Sequence, residues 1–556
     1  DNIYLTYNNW YGGEDSGRTI STESYRSEIL AAPFPFLNYD FFLKPAEADA
    51  VDPFPYPGLT HTNPLAPIMQ SRNLFPTSQS KPNYGWPMYA PNWQLKVYTT
   101  ASNVPGMDAL QTTINNEAFW GASNEAGGST HVAAIELPTS PPVSIGQLQN
   151  ANVSLYAHMP ALAIGNSFAS PYIPSNATYN IFQNREGNDR IFYDLSYLCN
   201  EVLWDRYFFS SYSRAYDANA DAYNGTLGDS FDSAFDSNNA SGSLPNPRME
   251  LALENETSDA VRTKLFDSSG DPRSTAYERA AENLLVKGSF NLHSTSVNAW
   301  KTMLASARDL SIYQSGQSAA TNYTNNRTPL TRLQQPIAGA FDSASGSYDD
   351  DEAWGGFATL SDNQLDDLAN AIVDEIKLRV ANQGTLFTSL SAFINRSLSN
   401  DTFGLTGLLQ AAIDKSGINS EFTQAIIKAD SGDLQGDAGD FPFPSNIRDG
   451  DGQARSTATT ATANLTQGDL LQVIGSFASV RSDTFRIRSY GEALHPVTGK
   501  PHARAWCEAI VQRIPEPVNP GAANASDAAY WEPQTGDSLG RKFKIIHFRW
   551  LSGDEV

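Results

Sequence analysis

The sequence predicts an α+β protein with a loop-rich β N-terminal region, a helical insert domain and a C-terminal antiparallel sheet. Three observations predict it. The first 188 residues are rich in Pro, Asn and aromatics, with short alternating runs between them. A block over residues 360–430 repeats its apolar residues at helical spacing. The last ninety residues switch to a period of two.

In the first segment, residues 1–188, Pro33-Phe34-Pro35-Phe36 and Asp52-Pro53-Phe54-Pro55-Tyr56-Pro57-Gly58 rule out helix interiors. Proline lacks the amide donor and disfavours helix in the residue before it. Trp93-Gln94-Leu95-Lys96-Val97-Tyr98 alternates and reads as a strand. The second segment, 189–345, mixes helix and loop. Leu195, Leu198 and Val202 recur at helical spacing. Residues 213–275 read as acidic loop, Ser274 through Val286 as a helix, and a further helix follows Ser294 or Ser296 through Trp300 and Leu304. Residues 311–350 read as loop again.

The third segment, 346–440, is the helical insert. Ser361 with Gln364 fits a capping box, and Leu365, Leu368, Ile372 and Ile376 then form one stripe. Phe387, Leu390, Phe393 and Ile394 mark a second helix. Leu405, Leu408, Leu409, Ala412 and Ile413 mark a third, closed by Gly417. Phe422, Ile426 and Ile427 mark a fourth. The last segment, 441–556, holds a helix near 468–475 and three alternating runs: Thr484–Ser489, Arg504–Gln512 and Lys542–Leu551. Joined by polar loops, they read as an antiparallel meander.

The chain has 556 residues, too many for one ordinary core. Lys and Arg number 37 against 61 Asp and Glu, a net charge of −24, which argues against nucleic acid as a partner. Charged residues are only 18% and aromatics 11%, and Asn, Ser, Thr, Gly and Pro supply the polarity. That balance points to an extracellular or cell-surface protein. No run of 18 apolar residues occurs, so no membrane span is expected. The chain starts at Asp1 rather than Met, from which a removed or omitted N-terminal piece is expected. The two cysteines, Cys199 and Cys507, admit one disulfide or two buried thiols, and sequence leaves both open.

Gly536-Asp537-Ser538-Leu539-Gly540 fits a nucleophile-elbow pattern and the block of GDSL-type esterases, but only 16 residues follow. That leaves no room for the helix, Asp and His the mechanism needs, so a hairpin turn is the better reading. No His-Glu pair, zinc-finger spacing or phosphate-cradling loop occurs. Calcium fits better. Asp217, Asn219 and Asp221 alternate oxygen ligands as hard-cation loops do, although Ala222 and Gly228 exclude an EF-hand. Asp349 with Asp351, and Asp449 with Asp451, offer further oxygen clusters; the ordinary reading of each is a solvated loop. Trp10, Tyr11, Trp86, Trp93 and Trp120 lie in loop-rich sequence, where rings stack on sugars or simply pin loops.

Several phrases carry a family resemblance. They are Ser144-Ile145-Gly146-Gln147-Leu148-Gln149-Asn150-Ala151, Ala163-Ile164-Gly165-Asn166-Ser167, Tyr193-Asp194-Leu195-Ser196-Tyr197-Leu198 and Trp204-Asp205-Arg206-Tyr207-Phe208-Phe209. Further on come Gly288 through Trp300, Ala503-Arg504-Ala505-Trp506-Cys507-Glu508-Ala509 and His547-Phe548-Arg549-Trp550-Leu551. Over roughly residues 140–556 the chain resembles the Verru_Chthon cassette protein A family of large pilin-like bacterial surface proteins. Leu360–Arg396 and Phe477–Arg488 are similar to the type II secretion minor pseudopilin K, which inserts a helical domain into a pilin-type sheet and binds calcium.

The resemblance implies a pilin-like C-terminal sheet and other pilin-like subunits as partners. It also implies membrane contact only through an N-terminal helix, which is expected to belong to the removed or omitted piece. The expectation is a non-enzymatic extracytoplasmic structural subunit, in a filament or at its tip, with structural calcium and adhesion surfaces. The alternative is a carbohydrate-binding or carbohydrate-active surface protein that uses the N-terminal aromatics on a surface glycan.

Overall fold

The computed structural model describes residues 4–7, 18–21, 37–42, 92–97, 131–135, 142, 144–150, 163–170, 173–183, 189–204, 214–217, 222–235, 249–251, 257–279, 284–286, 289–308, 310–314, 321–322, 327–333, 336, 340, 357–384, 387–420, 443–446, 465–480, 482–517 and 541–555. They show an α+β chain with small antiparallel sheets. The chain divides into two compact units, each made of two stretches: Asp1–Tyr207 with Leu292–Ala478, and Phe208–Asn291 with Ser479–Val556. The segments 1–188, 189–345, 346–440 and 441–556 therefore do not map one to one onto these units.

In chain order, β1 (Tyr4–Tyr7) pairs with β2 (Arg18–Ser21). Next, β3 (Leu37–Phe42) lies between β4 (Asn92–Val97) and β5 (His131–Ile135). A hairpin follows, β6 (Tyr179–Gln183) with β7 (Asp189–Tyr193). Helix α1 (Leu195–Leu203) starts where Asp194 accepts the Tyr197 amide. Strand β8 (Ala215–Asp217) pairs with β9 (Ala222–Asn224).

Two helices then stand where the composition reads as loop: α2 (Leu227–Phe235) and, across strand β10 (Met249–Leu251), α3 (Ser258–Leu265). Each buries one narrow face, and Phe231, Val261, Leu265 and Phe266 make a small core that the surrounding Asp, Ser and Asn hide from a composition reading. The single helix expected over 274–286 is instead a short α4 (Ala276–Arg279) followed by β11 (Leu284–Val286). Pairing of β11 with β10 overrides the local helical pattern.

In the first unit, α5 (Val297–Leu304) is capped by Ser296. Strand β12 (Thr328–Thr331) pairs with β13 (Phe357–Leu360), which leads into α6 (Asp362–Gln383). The capping box of Ser361 and Gln364 forms as the sequence predicts. After α7 (Leu390–Ile394) comes α8 (Leu408–Ser416), which ends at Gly417 with φ of 70°, a left-handed conformation that glycine adopts without strain. Helix α9 (Gln467–Ile474) closes the unit. The residues 422–427 expected to form another helix lie outside the described residues.

The stripe of α6 buries Leu365, Leu368, Ile372 and Ile376 against α5 and α8. Burying a Leu or Ile side chain stabilises by about 1.5–3 kcal/mol. Trp300 on α5 is fully buried, its ring stacked 6.3 Å from Phe393, which meets Phe387 edge-on at 5.4 Å. Among the described residues, no helix is long and apolar enough to cross a membrane.

The second unit ends in an antiparallel sheet of order β14 (Thr484–Leu494), β15 (Pro501–Pro517) and β16 (Arg541–Leu551). This is the meander that the period-two pattern predicts.

Candidate interaction surface

Most of the oxygen and aromatic candidates lie outside the described residues: Asn219, Asp221, Asp349, Asp351, Asp449, Asp451, Trp10, Tyr11, Trp86 and Trp120. So does the stretch Gly536–Gly540, expected to be a hairpin turn. Asp217 ends β8, and its backbone pairs with Ala222. Trp93 lies in β4 opposite Phe41 of β3. Among the described residues, no group of three His, Cys, Asp or Glu side chains is arranged to hold a metal.

Cys199 and Cys507 are both free thiols, one on α1 in the first unit and one on β15 in the second. Burial pushes the Cys199 thiol up from its ordinary pKa, and Asp194 adds to the rise.

Phrases behind the family resemblance meet in the first unit, where their polar side chains hold loop backbone. Asn200 accepts from the Gly165 amide at 2.8 Å and from the Trp204 indole at 3.1 Å. Its own amide donates to Asn166 O at 2.8 Å and to Asn395 Oδ1 at 2.9 Å. Asp469 accepts from Arg332 at 3.0 Å and from Gln149 at 3.3 Å, while Asn150 donates to Arg332 O at 2.8 Å. Gly146 lies so close to α9 that a Cβ there would come within 2.4 Å of Leu471 O. Buried loop backbone needs partners, and these amides and carboxylates supply them. The family phrases include Gly146, Gln149, Asn150, Gly165, Asn166 and Trp204, but no periodicity links them to Asn200, Arg332 or Asp469.

The C-terminal sheet has two unlike faces. In register, Phe485, Val511 and Ile545 form one row, and Ile487, Ala509 and Phe548 the next. Ser489, Cys507 and Trp550 form the third. This face is apolar and open: Trp550 is 68% exposed, Ile545 64% and Phe543 60%. The large side chains sit on the outer strands and the small Cys507 and Ala509 on the central one. The alternation holds past a bulge between Ile510 and Val511, where Ile546 is the extra residue.

The opposite face is cationic. Its central row is Arg488, Glu508 and Arg549. Glu508 is 4% exposed in its side chain and accepts from Arg488 at 2.8 Å and from Arg549 at 3.2 Å, with Arg486 at 3.9 Å. The Arg488 hydrogen bond holds the Glu508 carboxyl below its ordinary range, and Arg549 and Arg486 act in the same direction against partial desolvation. Beside this row, the Tyr490 and Trp506 rings lie 5.5 Å apart, and Arg504 is 3.9 Å from Glu492. The sequence pattern showed the alternation on β15. It did not show that Arg486, Arg488 and Arg549 converge, because that needs the register of three strands.

No family model, curated protein or solved structure matches this chain.

Proposed function

We propose that this chain is a non-enzymatic, extracytoplasmic, pilin-like structural subunit that acts within a filament or at its tip. The observation that carries this reading is the apolar face of the β14–β15–β16 sheet. Its exposed Phe, Ile and Trp side chains present on the order of 700 Å² of apolar surface, more than a solitary monomer usually leaves open. Small residues on the central strand between large ones on the outer strands make a trough about 10 Å wide, the diameter of a helix. Covering that trough with an apolar helix of the assembly is what a pilin-type subunit requires. Structural calcium at Asp217, Asn219 and Asp221 belongs to the same reading. Asp217 pairs with Ala222, and the sequence between them supplies Asn219 and Asp221 as further oxygen ligands. A lower melting temperature in EDTA, restored by calcium, is the expected result.

The direct test is electron microscopy of native cells and sheared surface fractions with a labelled antibody to this chain. Label along filaments or at their ends is expected. Label on dispersed, unassembled protein, together with retention on a polysaccharide column, would replace this reading with the carbohydrate-binding one.

A further inference from the structure

We propose that Arg279, on α4, binds the carboxylate of a small apolar acid. The inference goes beyond the subunit reading and does not depend on it.

Arg279 is 2% exposed. Its Nε and Nη2 are buried and meet no hydrogen-bond acceptor. Two other arginines, Arg308 and Arg396, leave only Nε bare and are anchored through Nη2, to Asp362 and Asp194. Arg262 grips Asp232 at 2.7 Å, and Arg273 donates to the carbonyls of Thr263 and Phe266. Among the described residues, Arg279 alone leaves a whole edge of its guanidinium bare. On that edge, Nε–H and the adjacent Nη2–H point the same way and are spaced as the two oxygens of a carboxylate. A guanidinium keeps its proton in proteins, so burial is not relieved by neutralisation, and the buried charge needs an anion. No described carboxylate supplies one. Asp229, Asp232 and Asp267 already hold Thr226, Arg262 and the amides of Ser269 and Asp271.

The surroundings select the kind of anion. Ala276 stands three residues before Arg279 on the same face of α4, and it packs on the core of Phe231, Val261, Leu265 and Phe266. The anion therefore has an apolar body. One positive charge balances one carboxylate. A phosphate or sulfate dianion would bring excess negative charge, and further oxygens without donors, into the same water-free place. Because the bare nitrogens touch no solvent, the acid enters by displacing the non-bonding atoms against them. Helix α4 is a single turn with little stability of its own, so it is the element that yields.

Benzoate and hexanoate are the probes, at constant ionic strength, with benzamide and hexanol as uncharged controls. Each acid should raise the melting temperature of the full chain saturably and shift one arginine Nε–H resonance, and the controls should do neither. Arg279→Met keeps most of the stem and removes the charge. It should melt higher than wild type without ligand, because an uncompensated buried charge is gone, and should lose the response. Arg279→Lys keeps the charge without the fork and should bind the acids at least about tenfold more weakly. If neither variant folds, the wild-type titrations and the Nε–H shift decide. No saturable response to either acid, or a response without an arginine shift, overturns the inference. So does a response unchanged in folded Arg279→Met, or phosphate stabilising wild type more than either acid does. A folded Arg279→Met that melts lower than wild type would show that the arginine has a protein partner in solution, and would overturn it as well.

Discussion

Arg396 donates to Asp194 at 2.9 Å across 202 residues of sequence, and both side chains are 1% exposed. The same guanidinium bonds the carbonyls of Ser175 and Ala177 and lies over the Tyr197 ring. Asp194 also caps α1. One buried ion pair thus ties the start of α1 to the loop after α7.

Removing one partner of such a pair leaves a charge buried without compensation. Arg396→Met is expected to cost about 3–5 kcal/mol of stability in urea unfolding. Asp194→Asn keeps a competent helix cap, since Asn caps as well as Asp, so its loss isolates the ion pair. Lys301→Met, at the half-exposed Lys301–Asp366 pair, should cost under about 1 kcal/mol. Equal losses at the two pairs would show that the Arg396 pair is solvated in solution.

Gly146→Ala should cost about 1–3 kcal/mol through overpacking alone. The added methyl meets backbone, Leu471 O, rather than a side chain able to rotate away. The same change at Gly491, where nothing lies within 4 Å, should be nearly silent. Thermal unfolding of both variants distinguishes close approach from a general sensitivity to lost glycine.

Glu508 gives the sheet a pH dependence whose sign follows from its arginines. Its folded pKa is lowered. Its contribution is therefore fully present above the unfolded Glu value, near about 4.3, and is lost as pH falls through the lower folded value. Trp506, next to this row, reports the change by fluorescence. Glu508→Gln should flatten the acid limb of the stability curve by lowering stability at neutral pH towards its value at acid pH. An acid limb unchanged in that variant would assign the effect to other carboxylates.

What the sequence made legible follows its periodicity. The Ser361–Gln364 box, the α6 stripe, the Gly417 cap and all three strands of the last sheet are local patterns, and each has its physical cause within a few residues. Helices α2 and α3 escaped notice because each buries only one or two apolar side chains amid Asp and Ser. The Asn200, Asp469 and Glu508 networks escaped because their members lie far apart in sequence. Polar contacts of that kind leave no period to read.

Cys507 reports on the trough of the sheet, and Cys199 is its internal control. Both are free and half-buried, so the denatured chain should take two alkyl groups without reductant. A requirement for reductant would establish a bridge. In the folded monomer, the raised pKa of Cys199 lowers its thiolate fraction, and the thiolate is the reactive species. Its alkylation should therefore be slow at pH 8 and accelerate with pH. Cys507 lies in the row with Ser489 and Trp550, on the floor of the apolar trough. Whatever covers that trough must also cover this sulfur. Alkylation followed by peptide mass mapping should thus show Cys507 protected in native assemblies and reactive in the isolated chain, with Cys199 unchanged between them. Equal reactivity of Cys507 in both states would mean that the apolar face stays open on assembly, and would remove the observation on which the subunit reading stands.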